Sequence, residues 1–519
     1  MNNEKINIRR SIMICIAISA IGFVFRLALA LSPFEFQIHT FLADDAFYYL
    51  GIAHNLASSG KASFDGITST NGFHPLWTFI LTILDMLGLG WPSPKAGLIV
   101  LAFFGSINTF LIGKLAGKAA GPTAAIIASI FWALNPFVII VEMMGVEAPL
   151  AVTFMLAATL FAIALPNQNP SGFSLVRIGF LVGLAFLART DTGFFALLFA
   201  AWFAYIRPKG QKFRDNAIAG LAAFAVVLPW ISWCFLKFGS VIQDSGRAIH
   251  FRAFSLAAAD GTSALNFALG NLHRGFWDYL IQYMGFPHPA ISMLFLGACF
   301  TAILALRKTC VPKFFRTAFP PALHGLIAWA FYSTVFGEMK AWYFVSCMMS
   351  LALFAGVGVS SLITLWIEKT DHHIRTALIL GILLIALFAA GAPGLLRDGL
   401  HPWQTTYLKV AKDLANGKIK DALPEYRPGA FNAGILAAVT GRQVINLDGV
   451  VNHEMMTQIR SHRFLAGMKQ LGVKILIDHE DLIVSYKVFS ESEFFSSFRL
   501  LARYPTGTKA GDILVLEVQ

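Results

Sequence analysis

Apolar residues in this chain come in long, nearly unbroken runs, not at the alternating or three-to-four spacing that a water-facing strand or helix shows. A helix needs about 17 to 25 such residues to cross a bilayer. The runs predict membrane helices at 11–31, 95–113, 121–141, 148–166, 173–188, 193–206, 215–236, 289–306, 318–336, 342–366 and 375–393, eleven spans that leave the two termini on opposite faces. A shorter apolar stretch at 76–89 contains Asp85 and reads as an amphipathic or re-entrant helix at the outer interface, where a carboxylate costs less than in lipid. Beyond Pro393 the pattern changes. Strands are expected at 443–447, 474–478 and 513–518, and helices at 405–416 and 455–471, an alternation that suggests a small α/β domain in water. The expected fold class is a polytopic α-helical membrane protein with a C-terminal extracytoplasmic α/β domain. Residues 1–393 form the membrane domain, including an external loop at 32–95, and residues 394–519 form the second domain.

Composition agrees. Apolar residues are 56% of 519 and charged residues 13%, against about a quarter in a soluble chain. The net charge of +11 would invite a nucleic-acid partner. Its distribution excludes one. Lys114, Lys118, Arg207, Lys209, Lys212, Arg214, Arg307, Lys308, Lys313, Arg316, Lys369 and Arg375 all fall in turns on the side of Lys5, Arg9 and Arg10. That is the positive-inside pattern, with a cytoplasmic N-terminus. The first run is long for a signal peptide and contains Arg26, so it reads as an uncleaved first span. Counting 76–89 as a full span would put the basic turns outside. The five cysteines show no metal-ligand spacing and read as core or lipid-facing residues.

With this topology, ionisable residues gather at the external mouths of the spans. Asp44 and Asp45 lie just beyond the first helix, ahead of Phe47, Tyr48 and Tyr49. Adjacent acids repel unless a cation, a proton or a donor accompanies them. One could serve as general base toward a hydroxyl and the other could hold a divalent metal or an acceptor group; a plain helix cap is the bland alternative. His74 and Trp77 open the interfacial helix, and Trp77 suits either membrane anchoring or sugar stacking. Glu142 and Glu147 flank the next external turn, where a carboxylate is expensive unless paired or functional. Arg189 stands beside Asp191 and either neutralises it or faces an anionic donor. Arg247, His250 and Arg252 follow in the external loop at 237–289. Lys340 sits beside Trp342 and Tyr343, as an interfacial belt or as a phosphate grip with aromatic neighbours. Acids early and cations late suit inverting transfer from an anionic lipid phosphate.

The block Asp44-Asp45-Ala46-Phe47-Tyr48-Tyr49, followed by Thr70-Asn71-Gly72-Phe73-His74-Pro75-Leu76-Trp77, resembles the GT-C superfamily of membrane glycosyltransferases, in particular its bacterial arabinofuranosyltransferase-like branch. The Glu147 turn, Leu187–Asp191, the stretch from Phe238 to Arg247, Trp342-Tyr343-Phe344, Phe431–Gly434 and Val444–Gly449 are also similar to that branch. The resemblance implies a bacterial inner-membrane enzyme that moves a sugar from a polyprenyl-phosphate donor to a glycan, lipid or protein acceptor on the outer face. It implies Asp44 and Asp45 as the catalytic acid pair, with Asp44 the base. Glu147, Glu142 and His74 would position the acceptor or a metal, and Lys340, Arg247, Arg189 and His250 would hold the donor phosphate beside Trp342 and Tyr343. Metal dependence varies across the superfamily, so a divalent cation (Mg or Mn) on Asp45 and Glu147 is admitted. The alternatives are a transporter or lipid flippase, which would favour paired halves and midplane charges, and a non-catalytic envelope assembly protein, for which Asp44 and Asp45 would be expendable.

Overall fold

The computed structural model describes residues 2–367, 373–490, 494–508 and 511–519; Lys369, counted above with the inside charges, lies outside them. Every expected span falls on helix. By length and composition, Ile6–Leu31, Lys95–Ala120, Lys212–Phe238, Ala341–Trp366 and the stretch His373–Ala415 can each cross a membrane. Ala148–Ala164, Gly172–Ala188 and Thr190–Ile206 are shorter apolar helices. Two pairs of helices are sharply bent, and the first of them breaks the rod expected at 121–141. Pro122–Leu134 and Pro136–Glu142 meet at a 60° bend, and Ala264–Met284 meets Pro289–Ala305 at 83°. The first bend has a local cause. Pro136 lacks an N–H and its ring obstructs the preceding turn. The Asn135 side chain then accepts from the backbone N–H of Phe137 at 2.9 Å and restarts the helix.

The same bend places Glu142 opposite Arg26, and both are fully buried. Arg26 donates through Nε and Nη2 to Glu142 and to the carbonyls of Gly22, Ala133 and Trp132. All five of its N–H groups are thereby used. Asn108 and Trp132 donate to the other Glu142 oxygen at 3.0 and 3.1 Å. Arg26 is thus a closed internal tie of the helix bundle.

The 237–289 region, read from sequence as a loop, contains helices Asp244–Ala259 and Ala264–Arg274. The apolar stretch at 76–89 is the helix Pro75–Met86. Trp77 neither anchors nor stacks. It is 1% exposed and donates to the Gly145 carbonyl at 3.1 Å.

The C-terminal segment forms a five-stranded sheet: β1 (Arg427–Ala430), β2 (Ile445–Asn446), β3 (Val473–His479), β4 (Phe498–Tyr504) and β5 (Ile513–Val518). The order is β2-β1-β3-β5-β4. β1 is parallel to β2 and β3, while β5 runs antiparallel to β3 and β4. The helix expected at 455–471 is two helices, His453–Arg460 and Phe464–Gln470, with His462 between them at φ +54°.

This sheet domain packs directly on the first loop. The Gln404 side chain accepts from the Asp44 N–H and donates to the Ile38 and Leu42 carbonyls. Two glycines permit the close fit. A Cβ on Gly72 would collide with the Val450 carbonyl, and one on Gly434 would collide with the Asp44 carbonyl.

Candidate active site

Helix Asp45–Ser59 carries the acid pair at its start and ends in Gly60 at φ +69°, a conformation that favours glycine. Asp44 does not cap its own helix. It accepts from the Gly434 and Ile435 N–H groups at 3.0 and 2.6 Å, so it caps Gly434–Thr440 of the sheet domain instead. Asp44 is 3% exposed, and burial pushes its carboxyl up to about 7 although those amide donors pull the other way. One residue on, about 100° round the helix, Asp45 is half-buried and makes no side-chain hydrogen bond or ion pair to any described residue. Burial pushes it up to about 6, and the Lys340 ammonium pulls it down.

Asp45 stands where two cavities meet. The larger, about 480 Å³, is also lined by Tyr48, Arg252, Glu338, Lys340, Trp403, Asn432, Asp448 and His479. The smaller, about 60 Å³, is lined by Tyr49, His74, Glu147, Trp342 and Tyr343. In the larger cavity Glu338 gathers two cations: Lys340 Nζ lies 2.9 Å from one oxygen and Arg252 pairs with the other. Arg252 also lies 3.7 Å from Asp448. These cations hold the Glu338 carboxyl well below the usual range despite its burial, and Glu338 in turn raises Lys340. The Glu338–Lys340 pair therefore stays charged on the cavity wall.

Behind the smaller cavity lies a second network. Glu147 accepts from Arg189 at 2.7 Å and from the Tyr49 hydroxyl at 2.6 Å, with His74 Nε2 at 3.6 Å. Arg189 also holds Asp191 and donates to the Tyr332 hydroxyl at 3.2 Å. Burial lowers His74, which keeps the imidazole neutral. The Tyr343 ring stacks on Tyr332 at 4.4 Å.

The expected site residues therefore divide. Asp45, Lys340, Glu147, His74, Trp342 and Tyr343 line the paired cavities. Asp44 lies behind them as a structural cap, and Arg189 is turned to Glu147 and Asp191 instead of the larger cavity. Glu142 is in the bundle with Arg26. Arg247 folds back on Asp244 at 3.1 Å, and His250 meets the Phe336 carbonyl at 3.3 Å. Arg252 takes the place expected of Arg247. Ser245, Ile249 and Arg252 recur at i, i+4 and i+7 on helix Asp244–Ala259 and face the cavities, whereas Arg247 is about 140° away from Arg252. That spacing is legible in the sequence once the segment is taken as a helix. Glu338, Asn432 and His479 have no such local signal.

A divalent cation on Asp45 and Glu147 finds poor ligands. Both Glu147 oxygens are already engaged, one of them by a guanidinium. Among the described residues no group of three or more His, Cys, Asp or Glu is placed to hold a metal. The donor set does not suit such an ion.

Comparison with known proteins points the same way as the fold. The family model for dolichyl-phosphate-mannose-protein mannosyltransferases matches residues 75–233, beginning beyond the acid pair. No curated protein sequence matches significantly. ArnT from Cupriavidus metallidurans, solved in the apo state and bound to undecaprenyl phosphate, superposes with a TM-score of 0.56 at 13% identity; in the apo form 95% of this chain and 96% of that chain are covered. The oligosaccharyltransferase AglB from Archaeoglobus fulgidus, in complex with an inhibitory peptide and a dolichol-phosphate, gives 0.56 at 14% identity, covering 95% of this chain and 73% of AglB. At these identities the likeness is one of fold. The superfamily resemblance drawn from the sequence is borne out, and neither the transporter nor the assembly-protein alternative is favoured. The chain shares its fold with these membrane glycosyltransferases, and its residues 75–233 match the model of the dolichyl-phosphate-mannose-protein mannosyltransferase family.

Proposed function

We propose that this protein is an inverting glycosyltransferase that takes a sugar from a polyprenyl-phosphate donor, with Asp45 as its general base. The observation that carries the reading is Asp45 itself: a carboxylate without a hydrogen-bond partner among the described residues, at the junction of two cavities, facing Lys340 and Arg252. The solved ArnT and AglB complexes contain undecaprenyl phosphate and dolichol-phosphate, which supports a donor of that chemistry here.

Asp45 takes the proton from an acceptor hydroxyl. The acceptor oxygen forms a bond to the anomeric carbon on the face opposite the phosphate. The bond from that carbon to the phosphate oxygen breaks, and the lipid phosphate leaves with the electron pair. Lys340 and Arg252, held together by Glu338, stabilise the developing phosphate charge. They supply the charge that a metal ion would otherwise supply. Glu147, locked by Arg189 and Tyr49, shapes the floor beneath Asp45 and keeps His74 in place. Asp44 serves by fastening the sheet domain over the site.

We also read eleven crossings, a cytoplasmic N-terminus and an extracytoplasmic sheet domain in a bacterial inner membrane. The clustering of basic turns at one end of the bundle supports that orientation. Labelling single cysteines placed at residue 210 and residue 418 from outside intact cells should modify only the second.

The decisive assay offers purified protein a panel of polyprenyl-phosphate sugars drawn from membrane extracts. Wild type should release polyprenyl phosphate and form a glycosylated product. Asp45→Asn should form none while keeping its elution profile. Full transfer by Asp45→Asn would remove the proposed base.

A further inference from the structure

The wall of the larger cavity supplied by the C-terminal segment differs chemically from the wall opposite. Both cations that line the cavity, Lys340 and Arg252, come from the membrane domain. The polar residues that the C-terminal segment contributes are Trp403, Asn432, Asp448, His479, Asp481 and Ser485, with no Lys or Arg among them. A phosphate would find no counter-charge on this wall. A neutral, hydroxyl-rich group would find amide, imidazole, hydroxyl and carboxylate partners beside an indole.

His479 is the most telling member. It ends β3, is 5% exposed, and neither of its ring nitrogens has a hydrogen-bond partner among the described residues. Its ring stands at 82° to the Trp403 ring, with centroids 4.7 Å apart. Its backbone N–H donates to Asp478, whose carboxylate also accepts from the Phe431 and Asn432 N–H groups and from the Asn432 side chain. Packing and backbone bonds therefore fix the imidazole, and neither nitrogen is consumed in doing so. Buried polar atoms are almost always paired, and an unpaired pair on a cavity wall points to a ligand. A neutral imidazole presents one donor and one acceptor. Hydroxyl groups answer both, because each can donate and accept.

We infer that this wall is the acceptor subsite, that the acceptor is a carbohydrate, and that His479 positions it through its hydroxyls. The inference rests on the glycosyltransferase reading and adds the class of the acceptor to it. His479 is a positioning residue; the proton goes to Asp45.

The test uses full-length protein in nanodiscs, with octyl glycosides of common hexoses and pentoses as acceptor probes and a Ser/Thr-rich peptide as counter-probe. Release of polyprenyl phosphate without any acceptor, by hydrolysis of the donor, is measured in parallel. Wild type should transfer to at least one glycoside and not to the peptide. His479→Ala should raise the glycoside KM by about tenfold or more, as expected for lost hydrogen bonds. Its kcat and donor KM should stay within about threefold. His479→Gln, which keeps a donor and an acceptor, should recover most of the affinity and guards against a folding defect. An unchanged glycoside KM in His479→Ala overturns the role of His479. Transfer to the peptide, or to no glycoside, by a protein that still hydrolyses the donor overturns the carbohydrate assignment alone. If no polyprenyl-phosphate sugar is hydrolysed or transferred, the glycosyltransferase reading itself falls.

Discussion

Two groups of buried charge in this molecule look alike in sequence and differ in what they leave unfinished. In the helix bundle, Arg26 and Glu142 are fully buried, and each donor of Arg26 and each oxygen of Glu142 is matched. At the cavity junction, Glu338, Lys340 and Arg252 are matched to one another, but Asp45 beside them is not. A closed cluster ties helices together and has no capacity left for a ligand. An open one keeps a group raised in energy and free to exchange a proton. Charge at the mouth of a span does not by itself mark a site; incomplete pairing does.

The largest expected effect breaks the closed cluster. Glu142→Gln leaves a buried guanidinium without its counter-charge, which costs about 3–5 kcal/mol. Thermal unfolding in detergent should show a large loss of stability. Arg26→Met combined with Glu142→Leu should restore most of it, because removing both charges also removes the burial cost. A double variant as unstable as Glu142→Gln would mean that the tie is not electrostatic. Next in size is the open cluster. Asp45→Asn should lower the rate of transfer by about 10²–10⁴-fold, the usual contribution of a general base, yet it should not destabilise the fold. The sign is set by the raised carboxyl. The folded value near 6 lies above the ordinary 3.8, so stability falls as pH rises through that interval and the carboxylate must ionise in place. Above pH 6 the neutral Asn variant should therefore unfold no earlier than wild type. Asp45→Asn and Glu142→Gln shifting stability in the same direction would collapse the distinction between the two clusters.

Part of this contrast is legible in the sequence. Run length placed the apolar helices, and the pair at 44 and 45 stood out as costly. What could not be read was which member of the pair faces the cavity. Adjacent residues at a helix start point about 100° apart, and their fates depend on where Gly434 of a distant segment comes to rest. Arg252 was hidden because polar residues broke up the helix that carries it. β1, Arg427-Pro428-Gly429-Ala430, has no β-branched or aromatic residue and is a strand only because β2 and β3 flank it. Arg26 could be seen as unusual for a membrane helix, but its partner lies 116 positions away.

A smaller effect is expected at Glu338. It holds Lys340 and Arg252 at one point by ion pairs to both of its oxygens. Glu338→Gln keeps the shape but loosens the pairing, so the two cations no longer converge. The donor KM should rise by about tenfold, the size of one lost charge-assisted contact, with the acceptor KM little changed. A rise in acceptor KM alone would place the lipid phosphate elsewhere.

The smallest and most diagnostic effect is a shift in pH dependence. A general base works only when ionised, so kcat/KM should climb with pH through a value close to that of Asp45, about 6, and then level. Burial is the main reason the value is high, and Lys340 is the neighbour that holds it down. Lys340→Met should therefore move the acid limb to higher pH, because the carboxylate loses the cation that favours its charged form. Glu338, by contrast, raises Asp45 by repulsion, so Glu338→Gln should move the same limb toward lower pH. Opposite displacements from two residues that contact each other are hard to obtain from a general loss of structure, which would depress the plateau and leave the limb where it was. They are also hard to obtain if Asp44 were the base, since burial and the amides of Gly434 and Ile435 dominate its titration, and neither Lys340 nor Glu338 is among its main influences. A profile whose limb stays fixed in both variants would show that the proton leaves the acceptor by some other group, and the unpaired carboxylate at the cavity junction would need another explanation.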